Sequence, residues 1–359
     1  MYGIAGRDAV SDHILLKKSL ARYLAIAANT KMAKFLIAKH VTAEFERDDS
    51  LDALWKQHRH LTENFPSIES EIDRGTFSFA ALPKKSYMDL KVKIAEKILE
   101  CCHFCSRRCG VNRLADILGF CGCGRAMSVS SIFVHLGEEP ELVPSGTVFT
   151  MGCTMRCLHC QNWTISQWKE APIEYTPQEL AREVKNLRLG GCKNVNLVGG
   201  EPTPWLKHWL ETFQYVNVNV PVVWNSNSYY SQETAQLVAG FADVYLLDFK
   251  YGPGDCAERI SDAPNYWQVC TYNHLEAKRY GELIVRVLVL PGHLECCTEP
   301  VLNWISENLG VETRVNLMFQ YRPCWRASEM MELGRRLTKD ERVKAVRLAK
   351  KAGLKNFIT

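Results

Sequence analysis

The spacing of apolar positions divides the chain. From Asp12 to about Glu46, the residues Ile14, Leu15, Leu20, Tyr23, Leu24, Ile26, Met32, Phe35 and Leu36 recur at roughly helical intervals among lysines and arginines, which predicts helix. Phe65 to Lys85 carries Pro66, Gly75 and Pro83 and reads as a connector. A further helical pattern runs from Ser86 to Leu99. Beyond Pro144 the texture changes to short apolar runs alternating with helical patterns. Strands are predicted over Thr147–Thr150, Asn194–Val198, Pro221–Trp224, Asp243–Phe249, Leu283–Leu290 and Val315–Phe319. Thr176-Pro-Gln-Glu179 and Thr338-Lys-Asp-Glu341 are capping boxes, Ser231 can cap a helix from Gln232 to Ala239, and Gly190-Gly191 and Gly353 stop two of these helices. Such alternation predicts an α/β body built on a parallel sheet, open or curled toward a barrel, with functional residues just after the C-terminal ends of strands. The expected division is a helical extension over 1–100, a cysteine-rich segment over 101–143 and the α/β body over 144–359.

With 47% hydrophobic residues in 359, the chain can bury a core, so wholesale disorder is excluded. The balance of 44 basic against 40 acidic residues, net +4, is too mild to argue for nucleic acid or an anionic membrane surface. No stretch approaches 18 uncharged apolar residues, and the opening MYGIAGRDAVSDH lacks a secretory pattern, so a cytoplasmic protein without a membrane span is expected. The 15 cysteines change this bland picture because nine of them cluster. Cys101, Cys102, Cys105, Cys109, Cys121 and Cys123 form one group and Cys153, Cys157 and Cys160 a second, while Cys192, Cys256, Cys270, Cys296, Cys297 and Cys324 are dispersed and read as small buried hydrophobes. In a reducing compartment, metal-bound thiolates account for the groups better than disulfides.

The second group, Cys153-x3-Cys157-x2-Cys160, lies directly after a predicted strand. Three thiolates at this spacing can ligate three irons of a 4Fe–4S cluster and leave the fourth open to an exogenous ligand. Zinc is the competing reading, but His159 adjoins Cys160 and cannot easily turn back onto the same ion. Val198-Gly199-Gly200-Glu201-Pro202 follows at the end of the next strand, where paired glycines admit close approach of a ligand.

Together these motifs resemble the radical S-adenosylmethionine (SAM) superfamily. The stretches Gly137-Glu-Glu-Pro140, Cys160-Gln-Asn-Trp-Thr-Ile-Ser166, Val223-Trp-Asn-Ser-Asn227, Asp243–Tyr251, Val287–Gly292 and Met318-Phe-Gln-Tyr321 are further similar to the PflX-like family, named after pyruvate formate-lyase activation, over roughly residues 86–355. The resemblance implies a partial (β/α)6 TIM-type barrel whose cluster cleaves SAM to a 5′-deoxyadenosyl radical that abstracts hydrogen from a substrate. It implies Cys153, Cys157 and Cys160 as cluster ligands and Gly199, Gly200 and Glu201 at the methionyl end of SAM. His159 and Asn162 would lie along the cofactor, with Asn225, Asn227 and Gln320 near it from later strands. Asp248, Lys250 and Arg286 are the catalytic candidates.

Cys102-x2-Cys105-x3-Cys109-x11-Cys121 resembles the cysteine motif that precedes the cluster loop in PflX-like proteins, with Ser106 where that motif has proline. Its alternatives are a second iron–sulfur cluster and a structural zinc, for which His103 could also serve. Three functions follow: hydrogen abstraction from a protein or peptide in the manner of a glycyl-radical activase, modification of a small molecule or non-glycyl side chain, and a non-catalytic iron–sulfur or zinc scaffold. The first two need an electron donor such as ferredoxin or flavodoxin.

Overall fold

A computed structural model describes residue 15 and residues 18–77 and 81–359. The six predicted strands form, each with its ends moved by a few residues: β2 (Ser145–Thr150), β4 (Asn194–Gly199), β5 (Val222–Ser226), β6 (Val244–Asp248), β7 (Glu282–Leu288) and β8 (Arg314–Met318). They run parallel in one nine-stranded sheet of order β3-β1-β2-β4-β5-β6-β7-β8-β9. The sheet is that of a partial TIM-type barrel. Three strands went unpredicted: β1 (Ser128–His135) and β3 (Ile173–Glu174) are antiparallel additions, and β9 (Phe357–Ile358) extends the parallel edge. β1 lacks the continuous apolar run of a strand buried on both faces, since Phe133 and Val134 are exposed. The two capping boxes and the Ser231 cap form as expected, and Ser86 with Asp89 makes a third box.

Parallel register sorts the side chains into two layers. Trp224, Tyr245 and Leu283 are register neighbours on the outer face, packed with the helices in the main core. Asn225, Leu246, Ile284 and Arg314 share the inner face, as do Asp248, Arg286 and Asn316. The bottom of that inner face is closed by the chain's own N-terminal part. Leu20 and Tyr23 pack with Leu142, Val223, Val244, Leu246 and Ile284 in a small separate core. The Tyr23 hydroxyl donates to the carbonyl of Glu141 at 3.3 Å and accepts from Asn194 Nδ2 at 2.9 Å.

Two helical expectations are corrected. The stretch from Asp12 to Glu46 is not one helix: residues 12–14, 16 and 17 lie outside the described residues, and the rest forms Ala21–Ala27 and Lys34–His40, parted at Asn29, whose φ is 59°. Of the connector predicted from Phe65 to Lys85, the part up to Asp73 is instead the end of a helix, Leu51–Asp73, with Pro66 inside it, while the described residues over 74–85 are non-helical as expected. An interior proline costs about 3 kcal/mol. Burial of Leu54, Trp55, His58, Thr62 and Phe65 along one face offsets it, with Phe65 5.8 Å from the Tyr87 ring. Among the described residues no helix is long and apolar enough to cross a membrane.

One buried carboxylate predicts a pH dependence. Glu282 accepts the backbone N–H groups of Arg22 and Tyr23 at 2.7 and 2.6 Å, at the start of helix Ala21–Ala27. Burial nevertheless pushes its pKa up to about 7. A carboxyl raised on folding stabilises the fold below its unfolded value of about 4.3, and that contribution is lost as pH rises to about 7. Glu282→Gln is therefore expected to flatten the fall in melting temperature between pH 5 and pH 7.5; equal slopes in wild type and variant would refute this.

Candidate active site

The second cysteine group occupies the loop after β2, at the C-terminal end of the sheet. Gly199-Gly200 is pressed against it from the end of β4: a Cβ on Gly200 would stand 2.1 Å from the carbonyl oxygen of Gly152, so no other residue fits without moving backbone. Gly200 N–H also bonds the Thr150 carbonyl at 2.8 Å. Glu201 is buried and its carboxylate is fully engaged. It accepts from Ser226 Oγ at 2.6 Å, Thr203 Oγ1 at 2.5 Å and the backbone N–H of Asn227 at 2.8 Å. Burial pushes its pKa up, opposed by those donors. Glu201 thus holds the end of β5 against the turn, which carries Asn227 to the cysteine loop. There Asn227 Nδ2 donates to Thr154 Oγ1 at 3.0 Å and approaches Cys153 Sγ at 3.5 Å.

The three thiols are buried or nearly so. Burial raises all three, helped at Cys153 by Glu201 and the neighbouring cysteines; Cys157 reaches about 11 even though the Lys250 ammonium pulls it down. Ser166 Oγ lies 3.3 Å from Cys160 Sγ. Three sulfurs whose ionisation is opposed by burial and by one another fit a positively charged metal group, whose charge would reverse that penalty. Lys250 pairs with Asp248 at the end of β6, is itself raised because Asp248 and Cys157 outweigh its burial, and its charge acts on Cys157 and Cys160. His159 is buried, its Nε2 2.9 Å from the Tyr251 hydroxyl. Burial and then Lys250 lower it to about 4, so it is neutral at physiological pH.

The remaining predicted residues are placed differently. Asn225 is buried and accepts from Arg286 Nη1 at 3.3 Å. Arg286 is fully occupied: it makes two 2.8 Å bonds to Glu139 and a close contact with Glu138. Asn162 and Gln320 are exposed; Asn162 precedes the short helix Trp163–Ser166, and the Gln320 carbonyl accepts from Gln161 Nε2 at 3.5 Å.

A profile of the Radical SAM superfamily matches residues 147–305, which span the cysteine loop and the glycine turn. A Methanocaldococcus jannaschii protein, the uncharacterized MJ0674, is 45% identical over 343 residues, covering 93% of this chain and 98% of that protein. The chain belongs to the radical SAM superfamily. A second uncharacterized protein of that organism, MJ0808, is 24% identical over 277 residues, 68% of this chain and 79% of its own. Among solved structures, Streptococcus suis SuiB matches with a TM-score of 0.39 and 15% identity over 60% of this chain and 47% of that one. SuiB bound to precursor peptide SuiA gives 0.42 and 13% over 88% of this chain and 66% of that one.

In this radical SAM chain the first cysteine group sits against the same turn. Cys102, Cys105, Cys109 and Cys121 line one cavity together with Arg107, Arg113, Thr203 and Pro204. Arg113 is wholly buried and bonds the carbonyls of Pro204 and Gly124, and its charge is felt at Cys102, Cys121 and Cys123. Cys121 is pulled down to about 6 by the Cys123 thiol and, against burial, by Arg113, whereas burial pushes Cys105 up to about 12. At the cavity's edge Arg107 also pairs with Asp262, and Arg108 with Glu233. His103 bonds the Cys101 carbonyl at 2.7 Å. Sequence reading missed Tyr251 and Glu138–Glu139 as partners of site residues because each reaches its partner from a separate segment, and Ser166 because the short helix Trp163–Ser166 turns it back onto Cys160. It also missed a gathering of dispersed cysteines: Cys256, Cys296 and Cys297 converge with His293, and Cys296 is exposed, so the reading as a buried hydrophobe is corrected for Cys296, whereas Cys256 and Cys297 are buried as expected.

Proposed function

We propose that this radical SAM enzyme abstracts a hydrogen atom from a protein or peptide, in the manner of a glycyl-radical activase. The observation that carries the site assignment is the convergence of Cys153, Gly200 and Asn227 on one point at the mouth of the barrel. Cys153, Cys157 and Cys160 would hold a 4Fe–4S cluster, which when bound with SAM supplies a 5′-deoxyadenosyl radical. With the Glu201 carboxylate engaged, the backbone of Gly199-Gly200 is the part of the turn left to receive the methionyl ammonium. Lys250, held by Asp248, offsets negative charge at Cys157. Neutral His159, braced by Tyr251, excludes water beside the loop.

The similarity of Asp248-x-Lys250 to activase-type relatives supports a glycyl residue as target, and the mild net charge fits a protein or small-molecule substrate better than nucleic acid. The four cysteines that line the cavity of the first group are soft donors, which supports either a second iron–sulfur cluster or a structural zinc there.

With SAM and dithionite, anaerobically reconstituted protein is expected to release 5′-deoxyadenosine. Mixing with a glycyl-radical partner should then give a protein-borne doublet by electron paramagnetic resonance. Cofactor cleavage with no such signal would move the substrate to a small molecule or another side chain. No cleavage at full cluster content would leave the scaffold reading.

A further inference from the structure

Cys256 and the segment His293-Leu-Glu-Cys296-Cys297 lie far apart in sequence, yet β6 and β7 are neighbours and their C-terminal loops run side by side. Cys256 opens the helix Cys256–Ser261. His293 follows the turn after β7, and Leu294–Thr298 is a π-helical turn in which the N–H groups of Cys297 and Thr298 both bond the His293 carbonyl, at 3.0 and 3.2 Å. π turns are rare and occur often at functional sites.

Here the turn brings both vicinal cysteines and the imidazole to the Cys256 sulfur. The separations are 3.8 Å for Cys256–Cys296 and 3.8 Å for Cys296–Cys297 between sulfurs, and 3.6 and 3.4 Å from His293 Nδ1 to Cys256 and Cys296. A tetrahedron with Zn–S near 2.3 Å and Zn–N near 2.0–2.1 Å has edges of about 3.8 Å between sulfurs and about 3.6 Å between sulfur and nitrogen. Four of the six edges are already close to those lengths, and all four donors lie within 4.8 Å of one another. Disulfide bonding would need about 2.05 Å, and all three cysteines are free.

The surroundings are those of a metal site as well. His293 Nε2 is buried without a hydrogen bond and faces Glu332 Oε1 at 3.7 Å, the direction in which a metal-bound histidine commonly turns its second nitrogen to a carboxylate. The backbone N–H of Gly252 faces the Cys297 sulfur, and a Cβ on Gly252 would stand 2.0 Å from the Cys296 carbonyl, so the two loops meet through glycine alone. Burial and mutual repulsion raise the Cys256 and Cys297 thiols, a penalty a cation removes. Cys296 is exposed while the other three donors are buried, which gives an ion one open side from which to enter.

We propose that Cys256, His293, Cys296 and Cys297 bind one zinc ion in a closed Cys3His site that ties the loops after β6 and β7. Three thiolates and an imidazole are soft donors suited to zinc, and four protein ligands leave no position open for chemistry. Tyr251, which supports His159, precedes Gly252 in the tied loop, so the ion would stiffen the wall of the active site. The proposal stands independently of which substrate the enzyme acts on.

The test uses full-length protein with its iron–sulfur centres reconstituted anaerobically, equilibrated with zinc and washed through a weak chelator, with zinc, iron and sulfide counted per chain. Wild type should retain one zinc. Cys296→Ser, at the exposed position, should lose it at unchanged iron, weakening zinc by more than the ~10–100-fold that losing a supporting partner alone costs. His293→Cys, which keeps four soft donors, should retain it. Cobalt(II) in wild type should give the strong visible absorption of a tetrahedral thiolate site, a readout that needs no variant. Absence of both zinc and that absorption in wild type would overturn the assignment, as would a zinc equivalent that follows Cys121→Ser instead of Cys296→Ser.

Discussion

Cys157→Ala should reduce 5′-deoxyadenosine release by a factor on the order of 10³ or more, to the no-enzyme background, because the cofactor carries the chemistry and its loss removes the whole unit. Cys157 sits between the other two proposed ligands and within the field of Lys250, so its removal leaves two thiols where the proposed cluster needs three. The same variant should lose about four irons per chain while far-UV circular dichroism is unchanged, since the loop rests on bonds of Gly152, Arg156 and Leu158 to neighbouring backbone. Lost turnover with the iron count intact would mean that Cys157 is not a ligand. Iron falling by twice that amount would mean that the first cysteine group cannot assemble alone.

Arg286→Ala should lower stability by about 3–5 kcal/mol, read as a shift of the denaturant midpoint, because it strands Glu138 and Glu139 inside the barrel. Burial works against the Glu139 charge, yet Arg286 and Asn316 hold its carboxyl below the usual range, so the pair is ionised in the fold. Replacing Arg286, Glu138 and Glu139 together by methionine should recover much of the loss, as expected when the penalty is an unpaired buried charge. If Arg286→Ala instead left the midpoint in place and abolished turnover, Arg286 would act on the substrate and not as the clamp between barrel wall and loop 137–141.

What was legible beforehand is local. The three-cysteine loop, the glycine turn and the capping boxes are set by residues within a few positions of each other. The core strands announce themselves because both faces of a parallel sheet are buried, which demands continuous apolar runs. Those same strands carry Asn225, Asp248 and Arg286 at inner-face positions that alternation alone makes recognisable.

Long-range packing decided the rest. Pro66 stays helical only because Phe65 and its neighbours are buried against the Tyr87 helix. Tyr23 plugs the barrel bottom only because Asn194 and the loop at Glu141 meet it there. The 15 cysteines show the same division. Spacing alone marked the groups whose ligands share one loop. Cys256, His293, Cys296 and Cys297 carry no such signal, since their donors come from two loops joined only by the pairing of β6 with β7, and that pairing is a property of the folded sheet.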